Sequence, residues 1–375
     1  MTSSARPSHT EHPVALGSFR SWMQLIATSS GVDRGYLLRA GFVALTTLLT
    51  SPLRLWETAR YGRAIAQTDI HPSPIFIIGH WRSGTTHLHN LLCQDKQFGF
   101  LSTFQAMAPG FCITGDRWIK PALARLAGKR YPTRLIDNIP LAFDAPQEDE
   151  FAMASLCPRA FIHGFTFPLQ AEVFFDKYVL FHGLSVAEHA RWRQTYAALT
   201  RKSTFLNNGR QLVIKNCAHS ARIPTLLALF PDAKFIHIHR NPYEVFLSTV
   251  HMHKKVLPRS QLQDIDVPQI EAHVLHFYEK LMRRLQTDLA SIPPGHFVEV
   301  RYGALERDPL AQLETVYREL ALPGFEQAMP DLVRYIQAVD GYQKNAYHMD
   351  DDVIEKVNSR WAFAFDEWGY DYLQP

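Results

Sequence analysis

A short apolar strand that leads through a glycine-bounded loop into a helix is the feature that most constrains this chain. The run Ile75-Phe76-Ile77-Ile78 stands between a proline and a glycine, which is typical of a strand buried in a parallel sheet. The loop that follows covers residues 79–86, and the sequence 85–93 predicts a helix. A strand, a tight loop and a helix start in this order predict an open α/β sheet with a ligand at its edge.

The loop GHWRSGTT has the features of an anion-binding turn. Gly79 and Gly84 lie five residues apart, so the backbone can curl around a ligand at the positive end of the next helix. The spacing matches the phosphate-binding loop GxxxxGK[ST], except that Thr85 stands in the position of the lysine. The positive charge comes instead from Arg82, inside the loop. We therefore expect an anion whose charge is arranged differently from that of a nucleoside triphosphate.

Further strand-like runs alternate with helical runs along the chain. Residues 212–214, 235–239 and 297–300 predict strands, and residues 223–229 and 242–251 predict two of the helices that connect them. This alternation predicts an α/β fold, with a P-loop-like central parallel β-sheet flanked by helices on both faces.

The remaining organisation follows from shifts in composition. Residues 1–70 predict an N-terminal helical extension, and residues 71–375 predict the main domain. Within that domain, residues 101–205 interrupt the alternation with aromatic-rich, mostly helical sequence, which we expect to form a helical, substrate-capping insert at the sheet edge. Helices are predicted at 309–320 and 330–339, and a polar, aromatic segment is expected from there to the end of the chain.

Composition excludes several classes of protein. The chain has 375 residues, 46% of them hydrophobic, which is enough to bury a large core and excludes disorder. The 39 lysines and arginines against 36 acidic residues leave a net charge of +3, which argues against a nucleic-acid partner. The four cysteines show no CxxC pair and no metal-ligand spacing, so we predict free thiols in a reducing compartment and no metal site.

The N-terminal sequence bears on location. No apolar run follows a basic start, so no signal peptide is predicted and we expect a cytoplasmic protein. The most apolar early stretch is residues 41–53, and its 13 residues are too few to span a bilayer. A buried helix and an interfacial helix resting on a membrane both fit this stretch, so a peripheral membrane contact through it stays open.

Two motifs carry a family resemblance. The segment PIFIIGHWRSGTTHLHNLL, residues 74–92, resembles the 5′-phosphosulfate loop of sulfotransferases that use 3′-phosphoadenosine 5′-phosphosulfate (PAPS). It is closest to the bacterial and Golgi-type branch that carries P-R-S-G-T-T, and Trp81 replaces the proline of that branch. A second block, residues 230–248, is similar to the 3′-phosphate motif of the family, with Arg240 at the end of a strand and Ser248 eight residues later.

The resemblance covers about residues 72–373, more weakly at 300–323 and around 342–345 and 368–370. It implies transfer of a sulfuryl group from PAPS as co-substrate, release of adenosine 3′,5′-bisphosphate, and no metal. The implied donor-binding residues are Arg82, Ser83, Gly84, Thr85, Thr86, Arg240 and Ser248.

Sulfuryl transfer needs cations around the transferring group and a base for the acceptor's proton. Arg82 and Lys215 are the candidate cations. For the base, His219 resembles the catalytic histidine of cytosolic sulfotransferases, although it stands two positions later than in the Lys-x-His-Leu-Pro segment. Glu148 and Glu150, in an acidic run within the insert, are the alternative candidates, and a base outside both sets is the third.

The 24 phenylalanines, 14 tyrosines and 7 tryptophans favour a small apolar or aromatic acceptor with a hydroxyl or amine. Two other functions remain as alternatives: a P-loop ATP-dependent kinase, and a non-catalytic nucleotide-binding protein at a membrane surface. The missing P-loop lysine and the lack of a Mg²⁺-binding aspartate after a strand argue against the kinase. The sequence leaves the acceptor and the oligomeric state open.

Overall fold

Parallel strands form the sheet at the centre of the molecule. The computed structural model describes residues 10–130, 142–339 and 348–374. The strands are β1 (Ile75–Ile78), β2 (Phe98–Gly99), β3 (Gln211–Lys215), β4 (Lys234–His239) and β5 (Phe297–Arg301). Their order across the sheet is β2-β3-β1-β4-β5, and every neighbouring pair is parallel. The predicted central parallel sheet is therefore confirmed.

β1 lies between β3 and β4 and is buried along its whole length. Ile77 pairs with Lys215 of β3 on one side and with Ile236 of β4 on the other. The sequence predicts β1 residue for residue, and β3, β4 and β5 extend slightly beyond the predicted runs. The two-residue β2 was not predicted, because so short an edge strand leaves no periodic pattern to detect.

Helices surround the sheet on both faces. They are α1 (Phe19–Thr28), α2 (Leu37–Leu49), α3 (Ser51–Ala66), α4 (Thr85–Leu92), α5 (Thr103–Met107), α6 (Cys112–Gly115), α7 (Ile119–Arg130), α8 (Asp149–Leu156), α9 (His163–Thr166), α10 (Ala171–Tyr178), α11 (Val186–Leu206), α12 (Ile223–Leu229), α13 (Pro242–Ser260), α14 (Val267–Leu289), α15 (Tyr302–Arg307), α16 (Pro309–Glu319), α17 (Phe325–Val339) and α18 (Asp351–Trp368). A 3₁₀ turn, Cys217–Ala221, follows β3.

The two faces of β1 enter two different cores, as the alternation of side chains along a strand requires. Phe76 and Ile78 pack in the larger core with residues of α11 to α14 and α18. Ile75 and Ile77 pack in the smaller core with residues of α4, α16 and α17. Helices on both faces of the sheet, as predicted, are therefore confirmed.

The polar, aromatic segment expected at the end of the chain contains a helix. Residues 351–368 form α18, because Val357, Trp361 and Phe365 recur at four-residue spacing and bury one face of the helix. Trp361 has non-helical angles (φ −116°, ψ 17°), which mark a kink in the helix. The resemblance at 342–345 falls outside the described residues.

The N-terminal helices share the main core. Trp22 of α1 and Val43 of α2 belong to the same buried cluster as Phe76 of β1. One stretch, Arg34–Ala66, has the length and composition to cross a membrane: an 18-residue window within it has a mean hydropathy of 1.3, and 22% of that window is buried. The division at residue 70 and the capping role of residues 101–205, which form α5 to α11 in their described part, stay predictions.

Candidate functional site

The candidate site lies at the carboxyl ends of three adjacent strands. The loop after β1, Lys215 at the end of β3, and Arg240 directly after β4 meet at this edge of the sheet. Open α/β sheets bind ligands at this edge, because the helices that follow the strands begin there. The sheet order thus joins segments about 160 residues apart in sequence.

The loop between β1 and α4 requires its two glycines. Gly79 (φ 141°) and Gly84 (φ 101°) adopt left-handed backbone angles. A Cβ on Gly79 would lie 2.3 Å from the carbonyl oxygen of Ile238, and one on Gly84 would lie 2.2 Å from the ring of Tyr302. Arg82 also has a positive φ, 71°, which costs energy for a residue with a side chain. This tight curl directs the loop towards the start of α4.

The two predicted phosphate motifs contact each other through Arg82. Its Nε donates to the Oγ of Ser248, at 2.9 Å, across 166 residues of sequence. Nη1 of Arg240 donates to the carbonyl oxygen of Arg82 at 3.4 Å. The Arg240 guanidinium also lies 4.6 Å from the ring centroid of Tyr302 and pairs with Glu244 at 2.5 Å. Two arginines and a serine from the two motifs therefore converge at one place.

The start of α4 lies at the same edge of the sheet. Gly84 is the residue that precedes the helix, and Thr85 and Thr86 form its first turn. Ser83 and Thr85 are buried, and the Oγ1 of Thr85 lies 3.7 Å from the Sγ of Cys217. The first N–H groups of a helix have no partner within the helix, so they are donors for an anion held by the loop.

Lys215 forms a buried ion pair with Glu148. Its Nζ lies 2.9 Å from Oε2, with side-chain exposures of 6% and 8%. The backbone N–H of Cys217 donates to Oε1 of Glu148 at 3.3 Å. Since Cys217 also contacts Thr85, the Lys215–Glu148 pair lies beside the loop.

Glu150, two residues from Glu148, lies in a different environment. Its oxygens accept from both terminal nitrogens of Arg222, at 2.7 and 3.2 Å, from the backbone N–H of Phe161 at 2.7 Å, and from Asn216 at 2.8 Å. Burial acts to raise the pKa of Glu150, but the charge and hydrogen bonds of Arg222 outweigh it, and the pKa lies below its ordinary value. Glu150 is thus a fully bonded carboxylate of the interior.

His219 belongs to the same interior cluster. Its Nε2 lies 2.8 Å from the hydroxyl of Tyr196 and 3.1 Å from Oδ2 of Asp149. Nδ1 lies 3.3 Å from Arg222, and the side chain is fully buried. Burial acts to raise the pKa of Asp149. The interaction with His219 and the hydrogen bonds from His219, Tyr196 and Asn216 outweigh it, so the pKa of Asp149 lies below its ordinary value.

We call these residues the interior cluster and keep this name below. Its members are Asp149, Glu150, Tyr196, Asn216, His219 and Arg222. The sequence singled out neither Tyr196, Arg222 nor Asn216. The only sequence signal for these partners was the acidic run 148–150, because three acidic side chains that become buried at the start of a helix require buried partners.

Comparison with known proteins decides the family. Residues 74–327 match the sulfotransferase family. The chain belongs to this family. Omega-hydroxy-beta-dihydromenaquinone-9 sulfotransferase Stf3, from Mycobacterium bovis and from Mycobacterium tuberculosis, is 32% identical over 361 residues, which cover 96% of this chain and 91% of that protein.

Solved sulfotransferases share the fold. STF9 from Mycobacterium avium gives a TM-score of 0.72 at 17% identity, covering 94% of this chain and 91% of that one. STF1 from Mycobacterium tuberculosis gives 0.67 at 18% identity, covering 92% of each. The family match and the 32% identical relative show that the chain is a sulfotransferase enzyme, as predicted, and neither the kinase nor the non-catalytic binding protein gains support. Members of this family generally use PAPS as the sulfate donor.

Histidines near the loop are buried in this sulfotransferase. His80, in the loop after β1, is 1% exposed and its ring packs on Tyr278, with centroids 4.8 Å apart. Burial lowers the pKa of His80 to about 3, so it is a neutral side chain of the interior. His237 and His239, both on β4, are buried beside Glu299.

Two aspartates that precede helices serve as their N-terminal caps. The side chain of Asp266 accepts from the N–H of Gln269 at the start of α14, and Asp350 accepts from Val353 at the start of α18.

Within residues 10–130, 142–339 and 348–374, no group of three histidine, cysteine or acidic side chains could hold a metal ion. The four cysteines are free, as predicted.

Proposed function

We propose that this sulfotransferase binds PAPS with the loop after β1 and the start of α13. The observation that carries the proposal is the 2.9 Å contact between Arg82 Nε and Ser248 Oγ, with Arg240 beside it. One motif supplies backbone N–H groups and Arg82 for the 5′-phosphosulfate, and the other supplies Arg240 and Ser248 for the 3′-phosphate. Guanidinium groups suit both anions because they offer paired donors in one plane.

The proposed chemistry is an in-line transfer between two oxygens. A bond forms between the acceptor oxygen and sulfur, the bond from sulfur to the phosphate oxygen breaks, and the acceptor's proton passes to a carboxylate. Arg82, Lys215 and the N–H groups at the start of α4 stabilise negative charge on the sulfonate and on the leaving phosphate. Thr85 and Thr86 orient those oxygens by hydrogen bonds.

We assign the base to Glu148. Its Oε2 accepts a hydrogen bond from the Nζ of Lys215 at 2.9 Å. A sulfonate at the loop competes for the same ammonium group, which releases the carboxylate for the acceptor's hydroxyl. Glu150 and His219 are less suited to this role, since both are held within the interior cluster, Glu150 by Arg222 and His219 by Asp149.

The proposed acceptor is a hydroxyl on an apolar or aromatic, lipid-soluble molecule, with a hydroxylated isoprenoid quinone as the first candidate. The name of the relative Stf3, a sulfotransferase for an omega-hydroxy menaquinone, supports this. So does the aromatic surrounding of the loop: Trp81 packs on Phe161, with ring centroids 5.1 Å apart, and Phe161 packs on Phe165 and Phe277.

Such an acceptor resides in a bilayer, and we extend the proposal to location. The enzyme acts in the cytoplasm and contacts the membrane peripherally through residues 41–53. The low burial of the stretch around these residues supports this.

A thermal-shift titration tests the donor site. Adenosine 3′,5′-bisphosphate at 100 times its Kd should stabilise the fold by about 2.7 kcal/mol, whereas ATP with Mg²⁺ should give a smaller shift. Arg240→Gln should abolish the shift. Arg318→Gln, at an exposed arginine of α16 that pairs with Glu319, is the matched control and should leave it unchanged. A shift from ATP with Mg²⁺ alone would contradict the proposal.

A further inference from the structure

An exposed apolar surface covers one side of α2 and α3. Leu38, Leu49 and Leu55 are 72%, 67% and 73% exposed, and Leu45 and Trp56 are also more than half exposed. We call these five residues the apolar face. Large apolar side chains gathered in this way on a protein surface mark an interaction site.

The apolar face is one side of regular amphipathic helices. In α2, the spacing of Leu38, Leu45 and Leu49 places them on one stripe, seven and four residues apart. The opposite side of the helix, with Arg39, Val43 and Thr47, is buried against the body. The exposure is therefore a property of one helix face, as in helices that lie in a membrane interface.

Buried polar contacts hold α2 and α3 on the body of the enzyme. Arg39 donates to the carbonyl oxygens of Gln261 and Pro258, at 2.8 and 2.7 Å. Glu57 of α3 forms an ion pair with Lys202 of α11 and accepts from the N–H of Thr114 at 2.6 Å. Crossing a bilayer would break these contacts, and α2 alone, at about 20 Å, is shorter than the hydrocarbon core. The helices therefore lie along a surface.

The charge around the apolar face indicates which kind of surface the face would bind. Residues 34–66 contain five arginines and one acidic residue, Glu57, which is buried. Arg34, Arg60 and Arg63 are exposed. Basic residues beside an apolar helix face, with a tryptophan among them, fit a bilayer that contains anionic lipids.

We propose that the apolar face docks on the surface of an anionic phospholipid bilayer and lies in its interface without crossing it. Leucines and Trp56 enter the boundary between headgroups and acyl chains, and Arg34, Arg60 and Arg63 pair with lipid phosphates. The inference deepens the membrane contact proposed above for residues 41–53, adding Leu38, Leu55 and Trp56 and the class of lipid, and it rests on the proposed function for its use, which is access to an acceptor dissolved in the bilayer.

Co-sedimentation of the full chain with vesicles tests this. We expect binding to phosphatidylcholine vesicles that contain phosphatidylglycerol, and weaker binding to phosphatidylcholine alone. The variant Leu38→Ser/Leu45→Ser/Leu49→Ser should bind the vesicles at least about tenfold more weakly than the wild type. Val186→Ser, at a valine that is 89% exposed at the start of α11, is the matched control and should bind like the wild type. Arg60→Gln/Arg63→Gln should lose the preference for phosphatidylglycerol.

Melting temperatures near that of the wild type show that the variants fold. Failure of the wild type to bind these vesicles, or equal binding by the triple serine variant, would overturn the proposal. A dimer in sedimentation velocity that the triple variant dissociates, without vesicle binding, would assign the face to a second copy and also overturn it. Vesicle binding requires no donor or acceptor, so its failure is distinguishable from a failure of sulfuryl transfer.

Discussion

Glu148 and Glu150 are two residues apart and have the same side chain, yet they lie in different environments. Glu148 precedes α8 and meets Lys215 beside the loop that follows β1. Glu150 lies within the first turn and meets Arg222 in the interior cluster. Glu148 has an extended backbone (φ −69°, ψ 130°) and Glu150 a helical one, so the chain changes direction between the two residues and their side chains meet different partners. One acidic run thus serves both the site and the scaffold behind it.

The location of the cation makes the difference. Lys215 ends a strand at the edge where ligands bind, so its partner Glu148 is within reach of the loop. Arg222 follows the 3₁₀ turn and is fully buried, so its partner Glu150 is sealed by four hydrogen-bond donors. We therefore expect changes on the Glu150 side to affect stability, and changes on the Glu148 side to affect turnover.

The largest expected effect is on stability, from Glu150→Gln. Removing one partner of a buried ion pair leaves Arg222 charged and unpaired, which should cost about 3–5 kcal/mol in the free energy of unfolding. Urea denaturation measures this. Because the pKa of Glu150 is lowered by folding, its contribution is present above its ordinary value of 4.5 and is lost as the pH falls through the lowered value.

Glu319→Gln is the control for this substitution, since its partner Arg318 is exposed. It should change the free energy of unfolding by less than about 1 kcal/mol. Equal effects of the two substitutions would show that the interior cluster contributes nothing special to stability.

The next effect is on turnover, from Lys215→Met. Losing this cation should lower kcat about 10²- to 10³-fold for each folded molecule. Lys202→Met is the matched control, because Lys202 also pairs with a buried glutamate, Glu57, outside the candidate site. Both variants should lose stability, but only Lys215→Met should lose turnover. Equal kcat values in the two variants would contradict the assignment of Lys215.

The smallest effect is a change in the pH dependence of stability, from His253→Leu. Burial, with smaller contributions from His273 and His80, lowers the pKa of His253 from 6.5 to about 3. The unfolded chain binds this proton below pH 6.5 and the folded chain does not, so stability is lost as the pH falls. Each such histidine contributes about 1.4 kcal/mol per pH unit in that window.

His253→Leu should reduce the slope of stability against pH by about one proton. A leucine should be tolerated at this position because Phe165, Leu257 and Phe277 line the same small cavity as His253. Denaturation curves between pH 6.5 and about 5 measure the slope. Identical slopes in the variant and the wild type would show that His253 is protonated in the folded protein.

The sequence predicted the site's backbone better than its side-chain partners. β1, the loop and Arg240 were predictable because local patterns of apolar residues, glycines and cations specify them. The interior cluster was not, since it depends on contacts between segments 66 to 72 residues apart, as in the bonds of Asn216 and Arg222 with Glu150. His219 looked like a base by position, and only the packed structure surrounds it with Tyr196 and Asp149.

The exposed face of α2 illustrates the same limit. Residues 41–53 allowed a buried or an interfacial helix, because an apolar stretch alone does not reveal what covers it. Arg39 and Arg54, which flank the stretch in sequence, are both held by hydrogen bonds: Arg39 donates to the carbonyl oxygen of Gln261, and Arg54 donates to Ser51 of its own helix and to the carbonyl oxygen of Leu16. The exposed arginines stand further along the chain, at 34, 60 and 63.

The most direct test of the central claim is the rate of acceptor-dependent release of adenosine 3′,5′-bisphosphate from PAPS by Glu148→Gln. A hydroxylated isoprenoid serves as acceptor, and the rate is taken per folded molecule at saturating donor. We predict a loss of about 10²- to 10⁴-fold with donor affinity unchanged. A wild-type rate in Glu148→Gln, with the loss found instead in His219→Gln, would contradict the assignment of the base.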